Sequence, residues 1–290
     1  MELPLVVGVD GSDASLTALD WAVDEAVRLA LPLRIVCASL WQRYEGSVTA
    51  PDDERPAEGL MTEQVVASAE QHARLRAPQL GIHAVVVPDD AVSALLAEAR
   101  AARTVVTGSS GRGAVRRLLL GSVSLSVAGR AHCPVVVVRG TGRTVGGLCR
   151  RVIVGVGDPT ESAAAVDFAL RAAAVRQAEL QAVRTWRSPD ELPVEHVVAP
   201  GEAARAHERQ AADTLAKALG CAPRDFPQVP VRQETVEGPA HKVLVRLSAD
   251  ADLLVLGASR RHGHIGLQLG RVTHHALHHA GCPVAVVPHA

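Results

Sequence analysis

The glycine-rich segment TGSSGRGAVRRLLLGSVS, at residues 107–124, carries the residues best suited to binding chemistry in this sequence. It follows a run of β-branched residues and precedes a segment with helical periodicity. Glycines let backbone N–H groups approach an anion closely, and a helix N-terminus adds donors and partial positive charge. The segment therefore predicts a cradle for a nucleotide phosphate. Its candidate members are Gly108, Gly111, Arg112, Arg116, Arg117, Gly121 and Ser122.

Two well-known nucleotide motifs are absent from this segment. The pattern GxxxxGK[ST] does not occur, and the first strand ends in VGVDGS rather than in GxGxxG. That ending places Asp10 where a carboxylate could accept hydrogen bonds from a ribose or from adenine. The residues alone also allow a second interpretation, in which the glycines only form tight turns and Asp10 only caps a helix.

The sequence contains an internal repeat of one unit in two copies. Residues 6–22 align with 153–169, residues 105–113 with 254–262, and residues 132–138 with 281–287. The repeat predicts a first domain at 1–140, a glycine-rich linker at 141–150 and a second domain at 151–290.

Each copy alternates short apolar runs with longer amphipathic segments, which is typical of a doubly wound α/β domain with a parallel sheet. In the first copy, strands are predicted at 5–10, 33–40, 82–87, 104–107 and 134–138, and helices at 13–30, 58–77, 90–101 and 122–131. Ligands of such sheets bind beyond the carboxyl ends of the strands, where the strand order reverses. The glycine-rich segment follows the fourth strand and therefore lies at such an end.

The composition excludes several classes of partner. The net charge is −1, so the chain has no excess of positive charge that would attract nucleic acid or an anionic membrane surface. With 48% hydrophobic residues, the composition is that of a globular protein. No apolar run approaches a bilayer span, no signal peptide is recognisable, and the five cysteines form no CxxC pair. These features predict a cytoplasmic protein without nucleic-acid or membrane partners.

The spacing Gly108-x2-Gly111-x9-Gly121-Ser122 resembles the G-x2-G-x9-G-[S/T] nucleotide motif of the universal stress protein family. VVGVDGS at the start and CPVVVV at 133–138 resemble the first and last strands of that family. The resemblance extends over both copies, so the chain is identified as a tandem member.

The resemblance implies two Rossmann-like domains, each with a five-stranded parallel sheet in the order 3-2-1-4-5. It further implies an ATP site, with Mg²⁺, in a nucleotide-responsive stress factor. Carried over residue by residue, Asp10 would meet the ribose and adenine, Ala38 would contact adenine, and the glycine-rich segment would hold the triphosphate. The implied site residues are Gly8, Asp10, Ala38, Gly108, Gly111, Arg112, Gly113, Gly121, Ser122, Val123 and Ser124.

The second copy departs from this pattern. Gly157 stands in place of Asp10, Arg260 in place of Gly111, and Arg271 in place of Ser122. The carboxylate is missing and two long side chains enter the phosphate cradle. We therefore expect that the second copy does not bind ATP in the manner of the family.

Three further features have structural explanations that we favour over functional ones. THHALHH, at residues 273–279, spaces histidines as metal ligands can be spaced, but we expect no metal site there. Cys133 and Cys282 are expected to pack at the start of the fifth strand of each copy. That strand is an apolar edge, so we expect 135–138 to pair with 284–287 within the chain, and the sequence leaves a homodimer and an unidentified protein partner open.

The sequence suggests three alternative functions. A regulatory ATP-binding protein with no enzyme activity beyond weak hydrolysis fits best, because no general base or catalytic constellation is recognisable. An adenylating enzyme would need a motif such as SGGxDS, which this chain lacks. A module for interaction or dimerisation, binding no nucleotide, suits the second copy but not the intact motif of the first.

Overall fold

The computed structural model describes residues 2–40, 57–111, 120–187, 200–258 and 269–289. Within these ranges the chain divides into two compact units, the first ending at Arg139 and the second beginning at Gly140. In the described ranges, no helix has the length and apolar character that crossing a bilayer requires.

The first unit alternates strands and helices along the chain. Its strands are β1 (Leu5–Gly8), β2 (Leu33–Ala38), β3 (Ile82–Val87), β4 (Thr104–Gly108) and β5 (Val135–Val138). Its helices are α1 (Asp13–Leu29), α2 (Ala57–Arg76), α3 (Ala91–Glu98), which continues as a 3₁₀ turn over Ala99–Ala101, and α4 (Ser122–Arg130).

All strand pairs in this unit are parallel. β1 lies between β2 and β4, with Leu5 opposite both Leu33 and Thr104. β3 pairs with β2 and β5 pairs with β4. The strand order is therefore 3-2-1-4-5, as the resemblance implied, and the order reverses between β1 and β4.

The apolar strands form a core covered by helices on both faces. A Cβ on Gly8 would meet Leu95 of α3, whereas a Cβ on the next strand's Gly108 would meet Ala14 of α1. The strands need apolar side chains on both sides for this reason. Among the largest fully buried side chains of the unit are Leu5, Leu19, Leu33 and Ile35.

Helix α1 begins and ends where its local chemistry requires. The Ser12 hydroxyl accepts a hydrogen bond from Ser15 N at 3.2 Å, which pairs a backbone donor of the first turn. Ala30 follows the helix with a φ of 53°, a left-handed cap, and the chain then enters β2. The cap at Ser12 fixes the path of the loop that follows β1.

The second unit repeats the same order. Its strands are β6 (Arg151–Gly155), β7 (Glu179–Trp186), β8 (Val231–Glu237), β9 (Leu253–Ala258) and β10 (Val284–Pro288). Its helices are α5 (Gly142–Val145), α6 (Pro159–Arg176), α7 (Pro200–Leu219), α8 (Ala240–Ser248) and α9 (Arg271–His279), with a 3₁₀ turn at Ala222–Asp225. The parallel pairs give the order β8-β7-β6-β9-β10, again 3-2-1-4-5.

The segment predicted as a linker carries the four-residue helix α5. Thr144 is buried, and its hydroxyl donates to Gly281 O at 2.8 Å. The buried carboxylate of Asp252 accepts hydrogen bonds from Cys149 N at 2.7 Å and Arg151 N at 3.2 Å, which holds the entry to β6. This segment is therefore anchored to the second unit, while the boundaries at 140 and 150 stay a prediction.

Candidate functional site

The first unit holds a cavity of about 520 Å³ at the carboxyl ends of its central strands. It lies where the strand order reverses, the position at which ligands bind to sheets of this kind. The structure brings nine of the eleven predicted site residues to its lining: Gly8, Asp10, Ala38, Gly108, Gly111, Gly121, Ser122, Val123 and Ser124. The other two, Arg112 and Gly113, lie outside the described residues, as do Arg116 and Arg117.

The glycines around this cavity have different physical reasons to be glycine. A Cβ on Gly108 would lie 2.6 Å from the carbonyl oxygen of Ala14, so β4 packs directly against the backbone of α1. A Cβ on Gly111 would lie 2.8 Å from Asp10 Oδ2. Gly108 is therefore required by the packing of the fold, and Gly111 by the approach of the Asp10 carboxylate.

Gly121 is different, because the protein around it leaves room for a side chain. The nearest heavy atom to an added Cβ is Ser110 Cα at 3.6 Å, an ordinary van der Waals contact, and the φ of −69° suits any residue. Gly121 nevertheless lines the cavity at the start of α4. Its missing side chain keeps the space in front of the helix N-terminus open.

Asp10 is held in one orientation by the start of α1. Its Oδ1 accepts hydrogen bonds from Ser12 N at 3.0 Å and from Ser12 Oγ at 2.6 Å. Its backbone N–H donates to Ser15 Oγ at 3.3 Å. The carboxylate thus supports the loop after β1 and, through Oδ2, faces the Gly111 backbone.

The N-terminus of α4 presents backbone donors to the cavity. Gly121 is its N-cap, and no side chain of the described residues caps this helix. Ser122 is exposed at the first turn, whereas Ser124 is buried and its hydroxyl donates to Gly108 O at 2.6 Å. Ser124 therefore joins α4 to β4 with its side chain and can meet a ligand only through its backbone.

Several lining residues were missed by the sequence analysis. Val36, Leu95 and Thr107 form the part of the lining beneath Gly8. Strand alternation could have identified Val36 and Thr107, because each lies level with Gly8 on a neighbouring strand and residues at one level share a face. Leu95 could be found only from the packing of α3.

The second unit has a smaller cavity, of about 330 Å³, at the equivalent edge. Gly157 takes the place of Asp10, and its N–H still donates to the equivalent serine, Ser162, at 3.0 Å. Arg184 Nη1 donates to the carbonyl oxygens of Val156 at 3.1 Å and Gly157 at 2.6 Å. A guanidinium therefore lies across the end of β6, where the first unit has its carboxylate.

Helix α6 begins with a carboxylate at Asp158, the residue after Gly157. Asp158 caps α6 and accepts hydrogen bonds from Thr160 N at 2.9 Å and Thr160 Oγ1 at 2.6 Å. The Thr160 hydroxyl contributes most to lowering the pKa of Asp158 below its usual range. This carboxylate stabilises a helix start, the role that Ser12 has in the first unit.

Of the two arginines predicted to obstruct the second site, only one can be located. Arg271 is the first residue of α9 and is exposed, and Arg260 lies outside the described residues. The strand registers align Val36 with Val183, since each is the partner of the final glycine of β1 or β6. Trp186 of the second unit therefore corresponds to Ser39 of the first.

The histidines of α9 lie next to one another. The ring centroids of His275 and His279 are 4.4 Å apart, and His241 of α8 lies 4.8 Å from His275. Burial lowers the pKa of His275, and the nearby His279, His241, His274 and Lys242 lower it further. Among the described residues, no group of three or more potential ligands has a geometry that could hold a metal ion.

The two equivalent cysteines are buried at the start of the final strand of each unit. Burial raises the pKa of the Cys133 thiol to about 11. Cys282 is 0% exposed, and its Sγ donates to Pro283 O at 3.4 Å. Both environments disfavour a reactive thiolate and suit the packing role that the sequence predicts.

The fold defines a tandem α/β protein of the doubly wound class, with a cavity at the switch point of its first sheet. The model of the universal stress protein family matches residues 3–139 and 149–288. The chain belongs to the universal stress protein family, with two copies of its domain.

Two proteins of similar length and one shorter protein are similar to this chain. The universal stress protein Rv2005c of Mycobacterium tuberculosis is 33% identical over 97% of this chain and 96% of its own. A universal stress protein from Archaeoglobus fulgidus covers 99% of this chain and 97% of its own with a TM-score of 0.61 and 17% identity, which supports the fold. A universal stress protein solved in complex with cAMP covers 48% of this chain and 98% of its own, with 27% identity and a TM-score of 0.36.

Proposed function

We propose that the first unit binds an adenine nucleotide, ATP with Mg²⁺, and that the protein is a nucleotide-responsive regulator of a stress response. One observation carries the proposal. The motif residues, which are separated along the sequence, lie around a single cavity of about 520 Å³ at the switch point of the sheet. Cavities that bind cofactors usually measure roughly 300–1,000 Å³.

The chemistry of the lining divides this cavity into two parts. Val36, Ala38 and Leu95 make the region beside Gly8 apolar, which suits a flat aromatic base. Backbone N–H groups at the N-terminus of α4 face the other region, which suits phosphate oxygens. The proposed nucleotide lies with its base over β1 and β2 and its phosphates before α4.

The lining offers little catalytic chemistry. Among the described residues, Asp10 is its only ionisable side chain. The Asp10 carboxylate is already hydrogen-bonded to Ser12, which orients it towards the loop rather than towards an attacking water. We therefore propose a binding protein, with hydrolysis no faster than a slow background reaction, and not an adenylating enzyme.

Calorimetric titration of the whole chain with ATP and Mg²⁺ tests this proposal. We expect about one site per chain, because the equivalent cavity of the second unit is smaller and Arg184 lines it from across the end of β6. Gly121→Arg should abolish binding, because the new side chain would enter the space before α4. Its control is Gly270→Arg at the start of α9, where no heavy atom of the described residues lies within 4 Å of an added Cβ.

Each outcome has a defined meaning. Binding that is lost in Gly121→Arg and kept in Gly270→Arg supports a nucleotide site in the first unit alone. No binding by the unaltered chain would favour the alternative, an interaction module. A stoichiometry of two would show that Arg184 does not exclude the nucleotide from the second unit.

A further inference from the structure

Thr107 lies beside Gly8 on the face of the sheet that borders the cavity. Val7 of β1 pairs with Val106 of β4, so the next residues, Gly8 and Thr107, also lie side by side. Neighbouring residues at the same level of a parallel sheet direct their side chains to the same face. Because Gly8 has no side chain, Thr107 borders the space above β1.

The hydroxyl of Thr107 is buried without a partner. The residue is 4% exposed, and its Oγ1 has no hydrogen-bond partner among the described residues. The other two buried hydroxyls of the lining are paired, since Ser15 Oγ donates to Ser12 O at 2.8 Å and Ser124 Oγ to Gly108 O at 2.6 Å. Buried polar groups in native proteins are almost always paired, so an unpaired hydroxyl that lines a cavity needs an explanation, and a ligand group in the cavity would supply one.

The second unit has an apolar side chain at the same place. Leu256 of β9 is the register partner of Gly155 of β6 and corresponds to Thr107. Its Cδ2 lies 2.7 Å from the position of an added Cβ on Gly155, so the leucine covers the glycine. Gly155 and Leu256 both line the second cavity, which measures about 330 Å³.

We propose that Thr107 contacts the bound ligand, and that its hydroxyl forms a hydrogen bond with a polar edge atom of the bound base. The inference rests on the proposed nucleotide site of the first unit. The phosphates have their donors at the start of α4, whereas Thr107 adjoins the apolar region of Gly8, Val36 and Leu95. The threonine is the polar group of that region and can both donate and accept.

The test compares ATP binding by the unaltered chain, Thr107→Val and Thr107→Ser, with ATP and Mg²⁺ as the probe in calorimetry. Valine keeps the shape and removes the hydroxyl, so we expect affinity to fall about tenfold, because the polar base atom loses its partner. Serine keeps the hydroxyl and should remain within about threefold of the unaltered chain. Thr104→Val is the matched control, because Thr104 is a buried threonine of the same strand outside the cavity lining.

A second measurement separates ligand contact from folding. Without nucleotide, Thr107→Val should keep or raise the Tm, by roughly 1–3 °C, because it removes an unpaired buried hydroxyl. The rise in Tm on adding ATP should shrink in Thr107→Val and stay unchanged in Thr104→Val.

ATP binding by the unaltered chain tests the nucleotide site, whereas ATP binding by Thr107→Val tests the role of Thr107. If the unaltered chain binds no ATP, the nucleotide site itself is wrong. If it binds and Thr107→Val binds equally well, the site stands and the role of Thr107 is overturned. Equal losses in Thr107→Val and Thr107→Ser would also overturn it, because the shape of the side chain and not its hydroxyl would then matter.

Discussion

The two units place different side chains around the same point of one fold. In the first unit, Gly8 is flanked by Thr107 and a carboxylate follows at Asp10. In the second, the equivalent Gly155 is covered by Leu256, and Arg184 binds the carbonyl oxygen of Gly157. The sheet order and the serine that binds the loop after the first strand are the same in both units. The comparison shows that the scaffold and the cavity surface can change independently after a duplication.

The largest expected effect comes from the contact between the fourth strand of each unit and the helix that follows its first strand, which is α1 in the first unit and α6 in the second. Gly108→Ala would place a Cβ 2.6 Å from Ala14 O, whereas Gly257→Ala would place one 3.1 Å from Glu161 O. We expect the free energy of unfolding to fall by about 3 kcal/mol for the first variant and about 1 kcal/mol for the second. Urea unfolding measures the free energy of unfolding of both variants. Hydrogen exchange in α1 and β4 shows whether Gly108→Ala destabilises these two elements.

Equal costs at the two glycines would mean that the units pack this contact in the same way. The difference of 0.5 Å between the two distances would then have no energetic meaning.

A second substitution transfers the apolar surface of the second unit to the first. Thr107→Leu should place a leucine over Gly8, as Leu256 lies over Gly155. We expect ATP affinity to fall at least about 30-fold, or about 2 kcal/mol, because the base loses its space and its polar partner. Calorimetry of this variant beside Thr107→Val separates the loss of space from the loss of the hydroxyl. Unchanged ATP binding would show that this part of the cavity does not hold the base.

A smaller effect, on the pH dependence of stability, should distinguish α9 from its counterpart α4. The lowered pKa of His275 means that the unfolded chain binds a proton more readily than the folded chain does. Stability should therefore be highest above the unfolded pKa of about 6.5 and fall as the pH drops below it. His275→Ser, which installs the residue found at the equivalent Ser126, should reduce this decline. Thermal unfolding of both proteins between pH 8 and pH 5 measures the difference, and identical pH profiles would rule out a contribution from His275.

The smallest perturbation leaves the sequence unchanged and labels its thiols. Cys221 is exposed, whereas Cys133 and Cys282 are buried, and the pKa of Cys133 is raised to about 11. At pH 8 in the native protein, a thiol reagent should modify Cys221 rapidly and leave Cys133 and Cys282 unmodified until urea unfolds the chain. Peptide mass spectrometry after timed labelling identifies the modified residues. Rapid labelling of Cys133 in the native state would show that the first unit opens at β5.

The elements of the fold could be predicted from the sequence because their signals are local. The apolar run at 82–87 correctly predicts β3. The capping residue Ser12 correctly predicts that α1 begins at Asp13. The predicted first strand ran to Asp10, whereas β1 ends at Gly8, because the following residues turn to cap α1. The third helix, predicted to residue 101, tightens into a 3₁₀ turn after Glu98.

The surface of the cavity was harder to predict, because it depends on the register between distant strands. Leu256 and Gly155 are far apart along the chain and become neighbours only when β6 pairs with β9. Arg184 reaches the end of β6 from β7, and no pattern in its own segment indicates that contact. The glycine motif could identify where the cavity lies, but not all the side chains that line it.

Arg184 gives the second unit a cation at the place where the first unit has the cavity proposed to bind a nucleotide. Its two hydrogen bonds are made to backbone carbonyl oxygens of the chain itself and involve no ligand. A ligand stabilises a folded unit in proportion to the logarithm of its concentration over Kd, once the site is nearly saturated. With the proposed site in the first unit alone, resistance to unfolding rises and falls with cellular ATP in one half of the chain and stays constant in the other.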